Sequence, residues 1–292
     1  MEIEAIADRT AIHGGDAPAA APAWRASLDL EFARRGARTV LEKRRHDGPL
    51  VVQKAFYPEG DPACHVVIVH PPGGIAGGDH LAITASAGAG SSVLLTTPGA
   101  ARWYRSRRAL ACQELCWQVG PGACLEWLPQ ETIFFDDAQV QSAVEVRLSA
   151  GARYIGWEVL CFGRAGSGER FQRGRVRLRT RVLLEGRLAW MESARFEGGS
   201  PLFQSAAGLA GRTVCGTFVA AGPGLAAIPR DALRVLAPGK GEGAVSGLPD
   251  VLLARYLGDS SESAKAYFAA LWSVVRPAIA GVPACPPRIW ST

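Results

Sequence analysis

Apolar and polar residues alternate over much of the chain from Trp24 onward. In the first run Ala26, Leu28, Leu30 and Phe32 are each separated by one polar or charged residue. Side chains of a strand point alternately to opposite faces, so this pattern is typical of a strand with one buried face. Similar runs, many of them separated by glycine turns, predict strands at 51–55, 65–69, 81–85, 93–97, 111–119, 143–148, 153–160, 176–184 and 187–196. The pattern predicts a mainly β fold with many short strands in packed or wrapped sheets.

Helical patterns are fewer, and we predict about two helices. The clearest spans 261–275, where apolar residues recur at helical spacing and Pro277 is expected to end the helix. A short helix is predicted over 229–236. Thr97 and Pro98 also have the character of a helix start, which would place Trp103 on a further short helix. No internal repeat of fixed period is visible in the sequence.

The N-terminal segment differs from the rest of the chain. Residues 17–22 are an Ala/Pro run, and we predict that 1–23 is a disordered tail and 24–292 a single β-rich domain. The tail lacks the continuous apolar segment of a signal peptide, and no stretch approaches the length of a membrane span. Seven cysteines are scattered through the chain. Together these features favour a cytoplasmic protein with reduced thiols.

Charge is modest overall but strongly patterned at one place. The net charge of +5 over 292 residues does not indicate a nucleic-acid-binding protein. One segment nevertheless carries an arginine at every second position: Arg173, Arg175, Arg177, Arg179 and Arg181. On a strand all five would project from one face. Such a face is either simply solvated or binds an acidic protein partner, for which arginine is well suited.

A glycine-rich segment follows the apolar run at 66–69. It begins at His70, ends at Asp79 and contains two prolines and four glycines, so it must be a tight loop. A phosphate-binding loop is excluded, because Asp79 and His80 stand where that motif needs Lys and Ser or Thr. The dinucleotide motif fails as well, because Ile75 takes the place of a required glycine. A plain turn between two strands remains the alternative.

Other catalytic and metal motifs are absent from the sequence. There is no HExxH segment and no GxSxG elbow. Cys112 and Cys116 lie on a predicted strand, where residues four apart are separated by about 13 Å and cannot bind one ion. We therefore interpret them as small hydrophobic residues. Glu158 and Glu192 each lie in an apolar run, where a carboxylate needs a partner, a wet cavity or an exposed face.

Several segments together carry a family resemblance. They are GPLVVQ at 48–53, FYPE at 56–59, HPPGGIAGGD at 70–79, TTPGAARWYRS at 96–106, LEWLPQE with IFF at 125–135, Trp157-Glu158, Gly163-Arg164, Gly168-Glu169 and PRIWST at 287–292. In this order they resemble the urease accessory protein UreD family, called UreH in some organisms. Each segment alone is weakly specific, whereas the ordered set covers nearly the whole chain from Trp24 to Thr292.

The resemblance implies a role in urease maturation. A UreD-like chain would act as a scaffold and nickel conduit in a complex with UreF and the GTPase UreG, and would help insert nickel into apo-urease. It would not be an enzyme and would hold no tightly bound cofactor, only nickel in transit. The candidate residues of the nickel path are Asp79, Glu158, Glu192, His70 and His80. Two alternatives stay open: a β-rich hydrolase that uses two of these carboxylates, and a protein-interaction scaffold that never binds metal.

Overall fold

Two large β-sheets make up most of the structure, a computed structural model that describes residues 24–106 and 108–291. The predicted tail at 1–23 lies outside the described residues. One sheet has seven strands and the other has ten. The predicted mainly β fold is confirmed.

The elements have the following bounds. In the seven-stranded sheet, the strands are β1 (Arg25–Arg35), β2 (Arg38–Asp47), β5 (His80–Ala87), β8 (Ala111–Val119), β11 (Gln139–Leu148), β13 (Arg175–Leu184) and β14 (Arg187–Glu197). In the ten-stranded sheet, they are β3 (Val51–Phe56), β4 (Ala63–Val69), β6 (Ser92–Thr96), β7 (Ala101–Trp103), β9 (Cys124–Trp127), β10 (Thr132–Phe134), β12 (Arg153–Phe162), β15 (Val214–Ala221), β16 (Glu242–Gly247) and β17 (Val251–Gly258). The seven-stranded sheet has the order β14-β13-β11-β8-β5-β1-β2, and the ten-stranded sheet has the order β16-β17-β15-β12-β9-β6-β4-β3, with β10 joining β12 to β7. The α-helices of the described residues are α1 (Arg230–Arg234) and α2 (Ser261–Ala280).

The middle of the chain winds as a coil between the two sheets. From β4 to β13 the long strands fall alternately in one sheet and the other, and neighbours within each sheet are parallel. Ala63 lies beside Ser92, Ser92 beside Cys124, and Cys124 beside Arg153, so successive coils are 29, 32 and 29 residues apart. The repeat is structural, and its uneven length explains why no fixed period is visible in the sequence.

The two ends of the coil differ. At one end short turns at 88–91, 120–123 and 149–152 connect the sheets. At the other end longer connections stack on one another through backbone hydrogen bonds. The Ile75 N–H donates to the Arg102 carbonyl oxygen at 2.7 Å, and the Phe135 N–H donates to the Trp103 carbonyl oxygen at 3.0 Å. The glycine loop therefore lies in a layer of stacked connections at one end of the coil.

Two apolar cores hold this arrangement together. The larger lies between the sheets, where Trp117 of the first sheet packs on Trp127 of the second at 5.1 Å between ring centroids. The smaller lies between the ten-stranded sheet and α2, around Trp157, Phe268 and Trp272. The ten-stranded sheet is thus buried on both faces near α2, which explains the nearly continuous apolar run of β12.

Helix α2 is anchored by a buried ion network. Arg276, fully buried, donates from Nε to Glu126 at 3.0 Å and from a terminal nitrogen to Glu59 at 2.7 Å. Trp272 Nε1 also donates to Glu126, at 2.6 Å. Burial alone would raise the pKa of Glu59, but hydrogen bonds from His65 and Arg276 outweigh it and lower the pKa to about 2. The network fastens the C-terminal helix to strands of the coil.

Two helix predictions are corrected by the structure, while α1 and the start of α2 are confirmed. Helix α2 does not end at Pro277 but continues to Ala280, because Arg276 and Ile279 on the same helix are buried against the sheet. The proposed helix after Thr97 is wrong. That segment contains strand β7, since Trp103 is buried beside Phe134 and its backbone joins the stacked connections. In the described part of the chain no helix has the length and apolar character needed to cross a membrane.

Candidate functional site

The glycine loop is shaped by close contact with the next connection of the coil. Gly73 has a φ of +74°, a conformation that favours glycine. A Cβ at Gly74 would lie 2.3 Å from the Tyr104 ring, and a Cβ at Gly77 would lie 2.0 Å from Ser106 Oγ. The glycines therefore allow two connections to stack where side chains would collide.

Asp79 holds the end of this loop. Its two carboxylate oxygens accept hydrogen bonds from the backbone N–H of Ala76 at 2.8 Å and of Trp24 at 3.1 Å. The residue is only 8% exposed. An aspartate in this position fixes the turn and the start of β1. His80 lies on the outer face of the sheet, with Nε2 3.6 Å from Glu114 Oε1.

A cavity of about 290 Å³ lies between the sheets behind the glycine loop. His70, Gly73 and Gly74 line its loop end, and most of the remaining wall is apolar. Burial lowers the pKa of His70, and the charge of Asp79 partly offsets that effect. Neither Asp79 nor His80 lines this cavity, although both flank the loop in sequence.

Glu158 of β12 stands where this cavity meets two others. It lines the large cavity, a second of about 210 Å³ and a small one of about 30 Å³. Its carboxyl group has no hydrogen-bond or ion-pair partner among residues 24–106 and 108–291. Burial, reinforced by the negative charge of Glu192, raises the pKa of Glu158 to about 7.

Glu192 of β14 reaches the second cavity from the opposite sheet. Its Oε1 accepts a hydrogen bond from Arg255 of β17 at 2.5 Å, and the same Arg255 nitrogen lies 2.7 Å from Thr217 Oγ1. The other carboxylate oxygen of Glu192 is buried and has no hydrogen-bond partner in the described residues. The two acids thus share one cavity, but only one of them has a counter-ion.

Glu158 and Glu192 are the pair of predicted residues that the fold brings together, and His70 lies at the far end of the adjoining cavity. Leu160 and Leu178, like Glu158, line both larger cavities and therefore lie at the boundary between them. Sequence reasoning missed Arg255 and Thr217, because nothing in the sequence shows that β17 and β15 lie beside β12. No group of three or more His, Cys, Asp or Glu side chains in the described residues is placed to hold a metal ion.

The arginine segment forms a strand, with one departure from the prediction. Arg175, Arg177, Arg179 and Arg181 lie on β13 and project from the outer face, with Val176 buried on the other side. Arg173 precedes the strand and instead binds Asp136 through its guanidinium and its backbone N–H, both at 2.8 Å. The predicted row of five therefore consists of four arginines on the strand and one in a loop contact.

Two of the four strand arginines have an acidic partner, and two have none in the described residues. Arg175 lies 3.4 Å from Glu197, and Arg181 lies 3.2 Å from Glu145. Arg177 and Arg179 have no ion pair within the described residues. Their neighbours across the β13–β14 pair are Arg195 and Ser193. The outer face of the seven-stranded sheet therefore carries excess positive charge along this edge.

Known proteins similar to this chain give a consistent result. A family model described as UreD urease accessory protein matches residues 25–291. A urease accessory protein UreD of Dechloromonas aromatica (strain RCB) is 52% identical over 279 residues, covering 94% of this chain and 97% of that protein. Another from Azoarcus sp. (strain BH72) is 48% identical over 290 residues, covering 99% of this chain and 100% of that protein.

The chain that forms this two-sheet coil is therefore a urease accessory protein. Within that class, the chain belongs to the UreD family. The resemblance carried by the ordered segments is confirmed, and the chain has a role in urease maturation. The prediction that it is not an enzyme agrees with relatives named as accessory proteins.

Proposed function

We propose that this chain is the scaffold and nickel conduit of a maturation complex with UreF and UreG, which acts on apo-urease in the cytoplasm. The observation that supports the conduit is the chain of cavities between the sheets, with His70 at one end and Glu158 and Glu192 at the other. Nickel is the cargo of this path and not a resident cofactor.

The chemistry of the lining suits transfer better than storage. A path must bind an ion strongly enough to admit it and weakly enough to release it. Nickel accepts imidazole, carboxylate and water ligands. Two carboxyl groups that border one cavity, without a compact cluster in the described residues, offer a transient position instead of a closed cage.

The placement of the five candidate residues separates two groups. His70, Glu158 and Glu192 line the cavities and are the residues to which we assign the path. Asp79 accepts backbone hydrogen bonds, and His80 lies on the outer face near Glu114. Their part in nickel transfer stays a prediction, and for Asp79 the structure favours a role in holding the loop.

Replacement of the junction acid tests the conduit. Glu158→Gln should reduce nickel content and activity of urease matured in cells that express the complete set of structural and accessory proteins, because an amide cannot become a carboxylate ligand for the cation at the junction. Co-purification with UreF and urease should be unchanged. Glu242→Gln, which removes an exposed acid on β16, is the matched control and should activate urease normally.

Two results would contradict the proposal. Full nickel loading of urease by a double variant that carries both Glu158→Gln and Glu192→Gln would show that nickel does not pass these acids. Failure of the unaltered chain to co-purify with UreF or urease would remove the scaffold role. We expect the chain alone to be poorly soluble and co-expression with UreF to give a soluble complex.

A further inference from the structure

Glu158, at the cavity junction, lies in a defined row of side chains. Glu158 is paired in register with Thr217, and Thr217 with Arg255, on three adjacent strands of the ten-stranded sheet. Glu192 faces this row from the other sheet and is bound by Arg255. One permanent cation therefore bridges the two sheets at the position where both acids meet the second cavity.

We propose that Arg255 is a displaceable counter-ion that neutralises Glu192 while the passage is empty and leaves it when a divalent cation enters between Glu192 and Glu158. This inference rests on the proposed conduit and assigns a role to a residue that does not itself ligate nickel. Arg255 would set how long the ion stays at the junction.

The unpaired oxygens show where an incoming cation would bind. Arg255 contacts one carboxylate oxygen of Glu192, and the second is buried without a hydrogen-bond partner in the described residues. A buried carboxylate oxygen that lacks a donor is costly, so the site favours a further positive group. The free carboxyl group of Glu158 borders the same cavity.

The side chain of Arg255 is exposed enough to move away from Glu192 into solvent. It is 43% exposed, compared with 28% for Glu192. A guanidinium does not lose its proton in proteins, so it cannot yield to a second cation by becoming neutral. It must move instead, and solvent beside the second cavity can hydrate it after it leaves Glu192.

Glu192 is neutralised in both states. In the empty passage Arg255 cancels the charge of the Glu192 carboxylate. With the ion bound, the divalent cation takes that place between the carboxyl groups of Glu192 and Glu158, and Arg255 is in solvent. The charged or titratable groups near Glu158 are Glu192 on β14, Arg255 on β17, Cys215 on β15 and Tyr154 on its own strand.

The return of Arg255 would then release the ion. A cation held by two carboxylates, with the rest of its shell from water and Thr217, has no closed set of ligands. Arg255 competes for the same carboxylate and lowers the affinity of the junction for the ion. A side chain without charge would leave the acids free to retain it.

Nickel binding by the purified chain, in complex with UreF where that is needed for solubility, tests this role. The probe is Ni²⁺ alone, with affinity from equilibrium dialysis and release from stopped-flow mixing with a chelating dye. Arg255→Met keeps an unbranched side chain without charge and should tighten Ni²⁺ binding at least about tenfold and slow release, because a nearby positive charge is removed. Arg255→Lys should remain close to the unaltered chain.

The double variant Arg255→Met with Glu192→Gln is the matched control. It removes both members of the pair and should lose the added affinity, which a change elsewhere in the fold would not do. Unchanged or weaker Ni²⁺ binding by a folded Arg255→Met variant would overturn the inference. If Ni²⁺ binding by Arg255→Met is unchanged or weaker while Glu158→Gln still impairs urease activation, the counter-ion role is wrong and the conduit stands. If Glu158→Gln and Glu192→Gln leave activation intact, the conduit itself fails.

Discussion

The pKa of Glu158 makes a prediction about folding stability that needs no nickel. In the folded chain this pKa is raised from 4.5 to about 7. Between these two values an unfolded chain releases the proton while the folded chain keeps it. The free energy of unfolding should therefore fall as pH rises from about 4.5 to about 7, and stay level above that range as far as this residue is concerned.

The size of the effect follows from the shift. A displacement of about 2.5 pH units corresponds to roughly 3 kcal/mol at 1.36 kcal/mol per unit. Buried sites in proteins behave as if their effective dielectric constant were higher than that of a dry interior, which weakens the penalty, so about 1–3 kcal/mol is the expected range. Glu158→Gln removes the titration and should be more stable than the unaltered chain at pH 8 by that amount, with little gain at pH 4.5.

Chemical denaturation across pH 4.5 to 8 measures this difference, with every variant studied in the same state of assembly. Glu242→Gln serves as the control, because that acid is exposed on β16. Glu192→Gln should shorten the pH range over which the free energy of unfolding falls, because the charge of Glu192 is the second cause, after burial, of the raised pKa of Glu158. A stability difference between Glu158→Gln and the unaltered chain that does not vary with pH, or that shrinks as pH rises, would refute the reasoning.

Two further predictions concern the surface and the glycine loop. Replacing Arg175, Arg177 and Arg179 by alanine should weaken assembly with a partner, while the free energy of unfolding changes by only about 0.5 kcal/mol per residue. Titration of the complex at low and high salt measures the affinity. An affinity that changes neither with salt nor with the substitutions would favour a merely solvated face. Asp79→Ala should reduce urease activation by loosening the loop. Asp79→Asn should retain most of the activation, because an amide oxygen still accepts hydrogen bonds from backbone N–H groups. The nickel content of urease measures both variants, and an equal loss in both would instead support a charge-dependent role in the path.

Much of the fold follows from local sequence pattern. Strands with one buried face, such as β1 and β8, were predictable because their apolar residues recur at every second position. The short strands β7, β9 and β10 were not, since three or four residues carry too little pattern and their pairing depends on the stacked connections. The edge strand β2 was also missed, because most of its residues are exposed and charged.

The coil itself could not be recognised from the sequence. Its strands are parallel neighbours separated by 29, 32 or 36 residues, and each pair is made by backbone hydrogen bonds that any side chain permits. Side-chain identity therefore does not repeat with the coil. Pro277 shows the same limit at a helix end, where local preference predicts a stop and burial of Ile279 carries the helix onward.

The candidate site shows which of its parts depend on local sequence and which on topology. An acid within an apolar strand, such as Glu158, can be recognised locally because burial of a lone carboxyl group is costly. Its relation to Glu192 and Arg255 arises only when β12, β15 and β17 become neighbours and the β13–β14 pair faces them. The same neighbours that raise the pKa of Glu158 leave it without an ion pair, whereas Glu192 receives one. Two acids that are alike in sequence thus become a carboxyl group with a raised pKa and a carboxylate that Arg255 neutralises.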